Sequence, residues 1–286
     1  MRKKRWLRSE WSEEMTEITK KPSVAMFMSV DLSGSTAFKS QAQGDGDSPE
    51  WLEAFEAFYR EVPLIMMGQI AGAFAMEDEV PHSGVWKVIG DEIIFMAHPG
   101  SPREAQLLTI AFYRTVINYD RKIFKRWPLR IKGCCWAAQI LDRNREIEIP
   151  EMLGTDENQV YVDFLGPDVD TGFRLAARAG RGQVVISSNL VQLLAGMEDP
   201  QGIQFYYLGR KVLKGVYNGR PYPLFLMAMP DCMPETWEWE AEEDEGLIAL
   251  RKDSPMDSKD ILDLLGRIQD YLNHMCHAGI ESLEFT

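Results

Sequence analysis

The stretch Phe27-Met28-Ser29-Val30-Asp31-Leu32-Ser33-Gly34-Ser35-Thr36 decides how this chain reads. It ends an apolar run that starts at Val24, has the length of a buried strand, and delivers Asp31 to a turn of small polar residues. A second stretch repeats the design. Val85 to Ile89 and Ile93 to Ala97 are strand-like runs joined by a tight antiparallel turn, with Asp91 at its tip after Gly90. Carboxylates gathered at strand ends are hard oxygen ligands for Mg²⁺ or Mn²⁺, and a small-residue turn offers backbone N–H groups to phosphate oxygens. Taken singly, either aspartate also fits the plain role of a turn cap.

Outward from these turns, helices and strands mix. Trp51, Leu52, Phe55, Phe58 and Val62 recur at helical spacing, which predicts a long amphipathic helix behind Ser48-Pro49, with Pro63 as a point of disturbance. A helix over 102–125 and a strand over 129–141 follow, the latter placing Cys134 and Cys135 on opposite faces. A strand over 161–166, a helix near Gly172 to Ala179, a strand over 183–187, a short helix over 188–194 and strands near 205–208 and 222–227 complete an α+β pattern. Residues 231–253 turn acidic and lose periodicity, which reads as a linker or a strap that lays Trp237 and Trp239 on the domain. Ser258 to His277 is an amphipathic helix whose stripe of Ile261, Leu262, Leu264, Leu265, Ile268 and Leu272 needs cover from the core or from a dimer partner. The expected division is an N-terminal extension 1–22, a main domain 23–229, and an acidic strap with a C-terminal helix over 230–286.

With 286 residues, 45% hydrophobic and 26% charged, the chain belongs with globular proteins and not with disordered, collagenous or disulfide-stapled ones. A net charge of −13 repels polyanions, so no nucleic-acid polymer is expected as partner, while a local pocket for one nucleotide stays open. Four cysteines, two of them adjacent, make a poor disulfide framework and point to a reducing compartment. No secretory signal and no apolar run of about 18 residues stand in the sequence, so a cytoplasmic protein without a membrane span is expected. His274 and His277 flank Cys276 at ligand spacing but lack two further ligands and read as a solvated helix end. His82 and His98 flank the second turn without a visible partner.

Four ordered segments resemble the catalytic domain of class III adenylate and guanylate cyclases. Phe27 to Thr36 looks like that family's first metal-binding strand and turn, and Trp86-Lys87-Val88-Ile89-Gly90-Asp91-Glu92 like its Lys-x-x-Gly-Asp hairpin. Phe173 to Arg178 followed by Gly182 to Ser187 resembles its transition-state helix and next strand, and Tyr207-Leu208-Gly209 with Leu213-Lys214-Gly215-Val216 its penultimate hairpin. Four motifs in order are far more specific than any one.

The resemblance implies a ferredoxin-like domain working as a head-to-tail homodimer, with a nucleoside triphosphate and two divalent cations (Mg or Mn) bound across the interface. It assigns Asp31 and Asp91, with the Leu32 carbonyl, to the metals, and Ser33, Gly34, Ser35 and Thr36 to the phosphates. Arg178 falls at the transition-state arginine. Arg174 replaces the family's usual Asn, four residues before it. Lys87 and Asp163 fall where purine cyclases keep a base-reading pair, although 166–172 is longer than the usual pattern. The stand-alone architecture resembles the pyrimidine cyclases of bacterial anti-phage signalling, which implies UTP or CTP as substrate, cyclic UMP or CMP as product, and a separate effector. Tyr59 is then a filler for the space a smaller base leaves. The alternatives are an adenylate cyclase and a catalytically silent nucleotide-binding regulator of the same fold.

Overall fold

A computed structural model describes residues 22–41, 49–150, 160–237 and 239–285. Strand β1 (Ser23–Ser33) is buried without a break from Val24 to Val30, because it lies inside a sheet covered on both faces. It is flanked by β3 (Glu92–Ala97) and β4 (Arg130–Ile140), both antiparallel to it. With β2 (Ser83–Ile89), β7 (Val184–Ile186), β8 (Gln204–Val212) and β9 (Pro221–Ala228), the seven-stranded order is β2-β3-β1-β4-β7-β9-β8. Among the described residues of this sheet, only the β4 and β7 pairing is parallel. A separate two-stranded ribbon joins β5 (Arg145–Pro150) to β6 (Val160–Leu165).

Helix α1 (Ser35–Gln41) leaves the first turn directly, and α2 (Glu50–Ala73) runs unbroken through Pro63. Proline removes one backbone hydrogen bond there, and burial of Ala54, Phe55, Phe58, Val62, Met66 and Ile70 outweighs the loss, so the expected disturbance does not interrupt the helix. Helix α3 (Pro102–Phe124) covers one face of the sheet and α4 (Pro167–Ala176) the other. The adjacent cysteines of β4 show the two faces: Cys135 lies by Thr109 of α3, and the Cys134 thiol faces the Gly172 carbonyl of α4. Burial pushes the Cys135 thiol up to about 12.

Helix α4 starts at Pro167, not near Gly172, and ends at Ala176. The stretch 166–172, which reads as longer than the usual pattern, is therefore the helix's first turns, opened by Gly166 and by proline at the first helical position. Helix α5 (Ser188–Ala195) follows β7. The acidic region is not structureless. It forms α6 (Glu240–Glu243) and α7 (Glu245–Lys252), the latter capped by Asp244, and buries Leu247, Ala249 and Leu250. Trp237 and Trp239 are 57% and 60% exposed, so their indoles are not laid on the domain as expected. Helix α8 (Ser258–Cys276) buries Ile261, Leu265, Ile268 and Leu272 and packs on α5 of its own chain, whereas Leu262 stays outside. Among the described residues no helix is long and apolar enough to cross a membrane.

Candidate active site

Strand register brings the two aspartate turns together. Asp31 stands opposite Glu92 across β1 and β3, and the Leu32 N–H donates to the Asp91 carbonyl at 3.1 Å. The turn after β1 needs Gly34 at φ +90°, and the β2–β3 turn needs Gly90 at φ +61°, a region glycine enters without strain. The hydroxyl of Ser35, first residue of α1, donates to Asp91 Oδ2 and ties the two turns side chain to side chain. Tyr59 of α2 donates its hydroxyl to the Gly90 carbonyl, and its phenol is raised by burial and by the Asp91 charge. Ser33 ends β1 and Thr36 is the second residue of α1, on either side of this turn.

Two further residues, Lys132 and Glu92, join this site without a role expected from the sequence. Lys132 of β4 holds its ammonium 3.0 Å from Asp31 Oδ2, both side chains about one quarter exposed. Glu92 accepts from the Ser29 hydroxyl, and burial raises its carboxyl above the usual range, partly offset by that hydrogen bond. Ser35, expected to serve the phosphates, uses its hydroxyl on Asp91. A signal for Lys132 existed: one polar residue, Lys132, interrupts the buried β4 run at the level of Asp31.

Lys87 of β2 and Asp163 of β6 meet at 2.6 Å, and Asp163 Oδ1 also accepts from the Phe164 N–H. Lys87 further lies 4.2 Å over the Trp86 ring, whose indole N–H donates to the Val162 carbonyl. His98, expected to lack a partner, hydrogen-bonds the Val24 backbone and packs on Phe164; burial lowers its pKa.

Arg178 is not beside the aspartates. Arg174 is exposed in the last turn of α4. Arg178 lies just past that helix, not on it, and donates to the Val212 carbonyl at the end of β8 at 3.0 Å. The His274 and His277 pair gains no ligand partner: among the described residues, no group of three or more His, Cys, Asp or Glu is arranged to hold a metal ion. The Asp31 and Asp91 donor set nonetheless fits Mg²⁺ or Mn²⁺ with bound nucleotide, because such ions are held by one or two carboxylates while substrate phosphates and water complete the shell.

No protein-family model matches the chain, and no curated protein is similar to it in sequence. Solved structures are similar in fold. The adenylyl cyclase CyaB from P. aeruginosa superposes with a TM-score of 0.52 at 13% identity, over 76% of this chain and 97% of that one. The guanylate cyclase domain of RhGC from Catenaria anguillulae, solved in complex with GTP, gives 0.50 at 12% identity over 73% and 98%. A bacterial light-regulated adenylyl cyclase gives 0.52 at 11% identity, over 78% of this chain and 56% of that one. The central, mostly antiparallel sheet with helices on both faces is the fold of the class III nucleotide cyclase catalytic domain.

Proposed function

We propose that the chain is a nucleotidyl cyclase, converting a nucleoside triphosphate to its 3′,5′-cyclic monophosphate and pyrophosphate. The observation that carries this reading is the union of the two turns, which puts Asp31 and Asp91 on adjacent strand ends. When bound there, with the Leu32 carbonyl assisting, two divalent cations acidify the ribose 3′-hydroxyl and neutralise the triphosphate. The Ser33 to Thr36 turn presents N–H groups to phosphate oxygens. Arg178 supplies a fixed cation for charge developing at the α-phosphate.

Arg178 cannot perform this role within its own chain. Its guanidinium rests on β8, four strand spacings from β1, or about 19 Å at ~4.8 Å each. A second copy must deliver it, so the reading is a two-fold homodimer with two shared sites.

The Lys87 and Asp163 pair sets an ammonium donor beside a carboxylate acceptor, which matches N1 and the 6-amino group of adenine, so ATP is the favoured substrate. The second reading is a uridylate or cytidylate cyclase whose product reaches a separate effector in anti-phage signalling. Exposed Arg174 supports it, as a guanidinium able to donate to a pyrimidine carbonyl, with Tyr59 filling the vacated space. The stretch 166–172, longer than the usual pattern, forms the start of α4.

Incubation with Mn²⁺ and each of ATP, GTP, UTP and CTP, with products separated by chromatography, tests both. Fastest turnover of ATP is expected, and faster UTP or CTP turnover selects the second reading. No cyclic product above an Asp31→Ala control overturns cyclase activity and leaves a nucleotide-binding regulator of this fold.

A further inference from the structure

Two neighbouring acidic residues at the start of α7 grip both elements that hold Arg178. The connection from α4 to β7, residues 177–183, carries Arg178 near its start and Gln183 at its end. Gln183 is 3% exposed, and its side chain is used at both atoms. Oε1 accepts from the Gly180 N–H at 3.3 Å, and Nε2 donates to Asp244 Oδ1 at 2.6 Å. Asp244 in turn caps α7, accepting from the Gly246 and Leu247 N–H groups at 2.9 and 3.0 Å.

The fit leaves no slack. A Cβ on Gly246 would lie 2.3 Å from Gln183 Oε1, and one on Gly182 would lie 2.8 Å from Arg130 Nη2. Arg130 is locked in a buried bidentate pair with Asp120 and also donates to the Glu235 carbonyl at 3.0 Å, so it anchors the strap from the other side. At the far end of the Arg178 side chain, its acceptor Val212 follows Lys211, whose ammonium meets Glu245 at 3.0 Å. That outer ion pair is exposed and contributes less than the buried Gln183 to Asp244 bond.

We infer that Gln183, Asp244 and Glu245 are positioning residues for Arg178, and that the acidic strap, through α7, sets where that guanidinium stands. This rests on the cyclase reading above. The strap is then part of the catalytic apparatus without touching substrate. Loosening it moves Arg178 relative to the α-phosphate, and misplacement of about 1 Å costs up to ~100-fold in rate.

A double-mutant cycle in the full-length chain tests this: wild type, Gln183→Ala, Arg178→Ala and the double variant, with kcat and KM measured on the triphosphate that the four-substrate assay selects. Amide hydrogen exchange is followed in parallel without nucleotide. Gln183→Ala is expected to lower kcat about 10- to 100-fold with little change in KM, and to have no further effect once Arg178 is gone. Exchange should rise over 177–183 and stay unchanged in β1. Asp244→Asn, which keeps the side-chain carbonyl, should recover most of what Asp244→Ala loses. Equal fold-losses in both backgrounds, or unchanged exchange over 177–183, overturn the inference. If wild type turns over none of the four triphosphates, the cyclase reading falls, and exchange alone decides whether α7 holds this connection.

Discussion

Gly172→Ala and Gly68→Ala are the same chemical change in two helices, and the structure demands opposite signs. Replacing glycine by alanine inside a helix ordinarily gains up to about 1 kcal/mol, by reducing the freedom of the unfolded chain. At Gly68, exposed on α2, a Cβ meets nothing within 4 Å, so the gain is realised. At Gly172, on α4, a Cβ would sit 2.1 Å from Trp136 Cε2 and Nε1 and 2.2 Å from Cδ2. Contact between carbons is comfortable only near 3.5–4.0 Å, so α4 or the indole must move by more than about 1 Å.

The indole cannot yield. Trp136 is fully buried on β4, stacked on Phe27 at 5.4 Å between ring centroids and packed on Phe173 at 5.6 Å. Overpacking of this kind costs about 1–3 kcal/mol, and a clash with several atoms of a locked ring belongs at the upper end, which outweighs the helix-propensity gain. Urea unfolding at fixed pH should therefore show Gly172→Ala less stable by roughly 2 kcal/mol net and Gly68→Ala more stable by up to about 1 kcal/mol. A Gly172→Ala protein as stable as wild type would refute the close approach of α4 to β4 and, with it, the placement of Arg174 and Arg178.

Equal amounts of Asp31→Ala and Arg178→Ala protein, allowed to exchange subunits, should regain about a quarter of wild-type activity, since half the dimers are hybrids and each keeps one complete site of two. No recovery, with hybrids visible by native mass spectrometry, would place the whole site in one chain. Burial lowers the His98 pKa below its unfolded value of about 6.5, so the unfolded chain binds more protons across that interval and stability falls as pH drops from about 6.5 through the folded pKa. His98→Gln should flatten that segment of the stability profile measured by urea unfolding, and an unaltered slope would assign it to another group.

Much of this protein was determined locally. The apolar run into Asp31, the hairpin tip at Asp91, the helices at 102–124 and 258–276 and the buried cysteine pair all follow from periods and turn chemistry within a few residues of each position. The bounds of α4 are less legible, because Gly166 and Gly172 look like loop residues, although Gly166 precedes Pro167 as a helix start and Gly172 is required by the Trp136 ring. The acidic segment hid α7, whose apolar side is short and gains its stability from Asp244 and from burial against distant residues.

What the tertiary structure decided is the contact that each of these polar side chains makes. Lys132 meets Asp31, Lys87 meets Asp163 and Gln183 meets Asp244 across gaps of sixty to a hundred residues. Strand register and helix docking set those meetings, and both are fixed by hydrophobic fit over the whole sheet and not by the few residues around each side chain.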